Sequence, residues 1–145
     1  MNNNPPFWIM LAHEGETTDG RYISAETLIA LAESYSPDIY SARVYKSPSQ
    51  SITVGGLLSE LRGEMLAAKT EIHNDTTYLY GLIAPTKYWF SVLSEDELAS
   101  VTIYPTICCV HKTSFTEKPY IIEVATTTAP LFPGIEPLNK HMVKS

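Results

Sequence analysis

The sequence predicts a mixed α+β domain of about five or six strands and two or three helices. Three observations lead there. The chain has 145 residues, 44% of them hydrophobic and 18% charged, enough apolar material for one core. One amphipathic helix near the N-terminus is sharply delimited. Several β-branched or aromatic runs are cut apart by Gly and Pro.

Residues 1–6, Met-Asn-Asn-Asn-Pro-Pro, form a polar lead without periodicity and are expected to be disordered. Phe7 to His13 is a short apolar run with the length of a buried strand. Asp19-Gly20 then marks a turn, since Gly reaches positive φ without steric cost. Ser24 stands at a helix N-cap, with Ile23 and Leu28 at hydrophobic-staple spacing. Leu28, Leu31, Ala32 and Tyr35 share one helical face, and Pro37 stops the helix, which is expected over 24–35.

Ser41 to Lys46 is expected to be a short strand, followed by a loop over 47–51. Leu57 to Ile72 reads two ways: Leu57, Leu61 and Met65 fit a helix, while Glu64 to Ile72 suits a strand, and local propensity favours the helix. His73-Asn74-Asp75 is expected to turn, and Thr76 to Ile83 to form a strand stopped by Pro85. A short helix is expected near 86–98 from Tyr88, Trp89, Val92 and Leu93. Val101 to Val110 and Tyr120 to Thr127 have strand composition, and Pro105 implies an edge or a bulge. Residues 7–128 therefore make one domain. Pro130, Pro133 and Pro137 give residues 129–145 the character of an extended surface tail.

Composition narrows the partners. The formal net charge is −6 and no three basic residues cluster, so the stripe a nucleic-acid binder needs is missing. No apolar run approaches the ~18 residues that span a bilayer. The start of the chain has no signal-peptide pattern, which places it in the cytoplasm. Cys108 and Cys109 are adjacent and would point to opposite faces of a strand, as two small buried residues. His13, Glu14, Glu16 and Asp19 offer donors without metal-ligand spacing, so no metal or cofactor is expected.

The N-terminal third carries a pattern: an apolar strand, then Glu14-Gly15-Glu16-Thr17-Thr18-Asp19-Gly20-Arg21, then a helix from Ile23-Ser24 to Tyr35-Ser36-Pro37-Asp38-Ile39-Tyr40, then Ala42-Arg43-Val44. It resembles the GPO family of tailed-phage capsid scaffolding proteins, whose amino-terminal domain is a serine peptidase. Ser100-Val101-Thr102-Ile103-Tyr104-Pro105 resembles that family's nucleophile strand, and Tyr120 to Ala125 its closing strand. The likeness covers about residues 7 to 138. It implies a bent, mostly antiparallel sheet or partial barrel with flanking helices, as in the phage and herpesvirus maturation proteases.

The resemblance places the family's catalytic aspartate on Asp19 and its serine on Ser100. The histidine position falls on Pro48. Serine needs an adjacent base to become a nucleophile, and removing it from a triad costs on the order of 10⁴–10⁶ in turnover. No histidine lies between His13 and His73. His13 and His73 are the candidates for a relocated base, whereas His111 ends the Ser100 strand and His141 lies in the tail.

Two functions follow from the resemblance. One is a capsid-scaffolding, procapsid-assembly protein whose degenerate peptidase domain binds the major capsid protein and itself. The other is an active serine endopeptidase that processes scaffold and capsid chains through an unrecognised base. Both act in the host cytoplasm within assembling procapsids, without nucleic acid or membrane as partner. The family's scaffolding region is a charged helix after the peptidase domain, and these residues hold no long heptad helix. The sequence is therefore a part of something longer or a stand-alone domain. A third reading has Ala129 to Pro137 dock a partner as an adaptor segment.

Overall fold

A computed structural model describes residues 5–45, 61–86, 89, 100, 102–110 and 118–142. Among the described residues the elements follow in order: β1 (Phe7–His13), β2 (Gly15–Glu16), β3 (Tyr22–Ile23), α1 (Ala25–Ser34), β4 (Arg43–Tyr45), β5 (Leu61–His73), β6 (Thr76–Pro85), β7 (Tyr104–Val110), β8 (Tyr120–Thr127) and α2 (Asn139–Met142). The main sheet has the order β1-β6-β5-β4-β8-β7, and β2-β3 is a separate small hairpin. All neighbours are antiparallel except β4 and β8. Irregularities after Met10, Val44, Met65 and Cys108 bend the ladder, as bulges do. The edge strands β1 and β7 approach each other without closing a barrel.

The helix forms as its sequence dictates. Ser24 caps it, its hydroxyl accepting the Thr27 amide at 3.2 Å, and Leu28 and Leu31 are buried against the sheet. Tyr35, just past its end, ties three segments: its hydroxyl donates to Met65 O at 2.6 Å and accepts from the Ala42 amide at 2.8 Å. Pro105 does lie on an edge strand, where its missing N–H costs no ladder bond.

One expectation fails. The described part of 57–72 is strand, not helix: β5 pairs with β6 from Gly63↔Pro85 to His73↔Thr76. Leu61 and Met65 are four apart, a spacing that shares a face in either structure until the long-range partner is known. Asn74 and Asp75 close the hairpin at φ 51° and 64°, the two left-handed positions of a type I′ turn. The helix expected near 86–98 falls almost wholly outside the described residues. Trp89 is described and fully buried.

The proline-rich segment also differs from its composition. Phe132, Ile135, Leu138 and Met142 are buried in the core. Prolines extend the backbone locally, but the apolar residues between them recur every three or four positions and turn inward together. Gly134, at φ 74°, and the Ile135 amide bonded to Phe132 O at 3.3 Å form a turn. Among the described residues no helix is long and apolar enough to cross a membrane.

Candidate functional site

Asp19 sits in the turn joining β2 to β3. Thr17, nearly fully buried, closes that turn: its amide donates to Arg21 O at 2.7 Å, and Thr17 O accepts from Gly20. The Thr17 hydroxyl accepts the Arg21 amide at 3.0 Å and donates to Asp19 Oδ1. Arg21 Nε donates to Asp19 Oδ2 at 2.9 Å. Both carboxylate oxygens thus meet a donor from their own turn. The Thr17 hydroxyl, and then Arg21, hold the Asp19 pKa below its ordinary value. The carboxylate stays ionised at neutral pH and about half exposed.

Ser100 is exposed and stands four residues ahead of β7, in helical backbone rather than on the strand the sequence suggests. The ladder begins only at Tyr104↔Thr127, because β8 ends there. Pro48 and His111 lie outside the described residues. Asp19 and Ser100 belong to separate elements, and a segment between Pro130 and Met142 runs past the Asp19 turn and past Ile103. Thr18 donates to it twice, through its amide to Leu131 O at 2.8 Å and its hydroxyl to Pro130 O at 3.0 Å. Three residues after Ser100, the Ile103 amide donates to Asn139 Oδ1 and Ile103 O accepts from the Leu138 amide.

The candidate bases are also placed. His13 has Nε2 at 2.5 Å from Pro133 O and Nδ1 at 2.9 Å from Glu14 O, so both ring nitrogens face carbonyl oxygens. Its ring sits between Tyr78 and Phe132. His73 pairs with Glu71 at 3.0 Å on the exposed end of β5. His141 stacks on Phe7.

Cys108 and Cys109 are free thiols, and neither is buried as expected: Cys108 is half-buried and Cys109 exposed. Partial burial, and then Glu123, push the Cys108 thiol up. Among the described residues no three His, Cys, Asp or Glu group as a metal site would require.

The anchors of the Pro130–Met142 segment are what sequence reasoning missed. The signal was present, since 132, 135, 138 and 142 repeat at helical-like intervals, but three prolines masked it.

A bulged, mostly antiparallel sheet with a helix packed on it and an acidic turn beside its edge is the arrangement implied for a phage peptidase-type domain. Residues 7–141 match the GPO serine peptidase, N-terminal domain, and the chain belongs to that family. Over 131 residues it is 28% identical to the capsid assembly scaffolding protein of Escherichia phage P2, a match covering 87% of this chain and 45% of that relative. The chain thus spans less than half the length of that relative. No solved structure matches it.

Proposed function

We propose that this chain is a capsid-assembly domain that keeps the peptidase fold as a recognition surface while its triad is degenerate. Its partners are the major capsid protein and other copies of itself, inside assembling procapsids in the host cell. The observation that carries the reading is the engagement of Asp19: Thr17 and Arg21 each donate to one of its oxygens. A triad aspartate instead orients an imidazole. Asp19 here serves as a lock for its own turn.

The family's histidine position holds Pro48 by resemblance, and proline accepts no proton. His13 is a poor substitute, because a base must offer a free lone pair and both of its ring nitrogens point at carbonyl oxygens. Asp19 and Ser100 remain the family-matched positions, as vestiges. The scaffolding relative supports capsid assembly as the setting.

Co-expression with the cognate shell protein tests this. Sedimenting particles that contain both chains are the expected result. Shell protein that assembles identically with and without this chain, and does not retain it, overturns the reading.

A further inference from the structure

The segment from Pro130 to Met142 fills the seam between the two edge strands. At one end Thr18 and His13 meet the carbonyls of Pro130, Leu131 and Pro133. In the middle Ile103 holds Leu138 and Asn139 just ahead of β7. At the other end Trp89 Nε1 donates to His141 O at 2.7 Å, and His141 lies on Phe7 at the start of β1. Phe132, Leu138 and Met142 supply the apolar anchors.

Several features are those of a bound peptide more than of a structural element. The main-chain oxygens of Pro130, Leu131, Pro133 and His141 are each met by a side chain or amide of the body, the mode by which proteins hold peptide ligands. Among the described residues it joins no sheet ladder, so it can leave without breaking one. Pro130, Pro133 and Pro137 restrict it before docking, which lowers the entropy cost of binding. What it covers matters too: an edge strand left open is a template for another chain.

We propose that the β1–β7 seam is a binding site for an apolar, proline-containing peptide, occupied in cis by residues 130–142 and in trans by the same segment of a second copy of this chain. Exchange of such a segment between identical copies needs no new surface, because the contacts made are those already present. The proposal rests on the self-association part of the reading above and gives it a structure. Its outcome is separable: lost capsid co-assembly with intact peptide binding overturns the capsid partner alone.

The test uses a fluorescent peptide of residues 129–142 added to the full chain, read by anisotropy. In the intact protein the cis segment competes, so the apparent affinity is reduced by the small open fraction. Phe132→Ala in the protein removes the largest apolar anchor of the cis segment. It should tighten binding of the wild-type peptide at least about 100-fold, given the usual cost of truncating a buried Phe. A peptide carrying F132A should not bind. Should that protein variant fail to fold, Leu138→Ala removes a smaller buried anchor of the cis segment and leaves the seam unchanged. It should tighten binding of the wild-type peptide at least about 30-fold, given the usual cost of truncating a buried Leu. Equal binding to wild type and variant, or no binding to any folded variant, overturns the proposal.

Discussion

The His141 ring lies flat on Phe7, with centroids 4.5 Å apart and planes 3° from parallel. That contact joins α2 to the first residue of the sheet, across almost the full length of the chain. Burial there holds the His141 pKa below its ordinary value of 6.5, and neighbouring Lys140 pushes the same way. Glu136 opposes both. A histidine depressed in the folded state binds its proton more readily once released. Its contribution is therefore intact above about pH 6.5 and is lost as pH falls through the lowered folded value. Thermal melts between pH 7 and pH 5 should show a decline that His141→Phe reduces. An equal decline in both proteins would contradict the packing as described.

Asp19 gives the same sign in a lower pH range. Its pKa is lowered first by the Thr17 hydroxyl and then by Arg21, so the turn is favoured above the ordinary carboxyl range and weakens as pH falls through the lowered value. Thr17→Val keeps the shape and removes the donor. A carboxyl-carbon NMR titration of Asp19 should then move up towards the ordinary value. No movement would mean that Arg21 alone holds it.

Tyr35 is a polar tie within the core. Its hydroxyl serves Met65 O and the Ala42 amide, and its ring stacks near Tyr120 at 5.4 Å. Tyr35→Phe leaves both backbone groups buried without that partner and should cost about 1–3 kcal/mol in urea unfolding. A change below a few tenths would place the tie outside the cooperative core.

Two glycines separate backbone from side-chain crowding. A Cβ on Gly63 would sit 2.7 Å from Ala84 O, a backbone atom of the paired strand. At Gly81 the nearest atom is Met65 Sδ, also at 2.7 Å, the end of a flexible side chain. Gly63→Ala should therefore destabilise by about 1–3 kcal/mol and Gly81→Ala by less. Chemical denaturation of the two variants side by side reads the order directly.

Much of the fold was legible where signals are local. Ser24, Leu28 and Pro37 delimit α1 from neighbours in sequence, and Asn74-Asp75 announce a hairpin turn. Pro105 pointed to an edge or a bulge, and β7 lies at the sheet edge. Reading failed at Met65, whose spacing from Leu61 suits helix and strand alike until Ile83 arrives as its partner across the hairpin. It failed again at Phe132, where prolines suggested a surface and only the open seam explains the burial. At the candidate site the sequence indicated Asp19 by resemblance. That Thr17 and Arg21 would occupy both of its oxygens depends on a closed turn, which no residue spacing encodes.

The degenerate-triad claim is tested most directly by labelling the intact protein with a fluorophosphonate probe at neutral pH, read by mass spectrometry. On the degenerate reading, with Pro48 at the family's histidine position, the Ser100 hydroxyl should remain unmodified, and Ser100→Ala should give the same spectrum as wild type. Stoichiometric labelling that disappears in Ser100→Ala would contradict the account and establish an active serine.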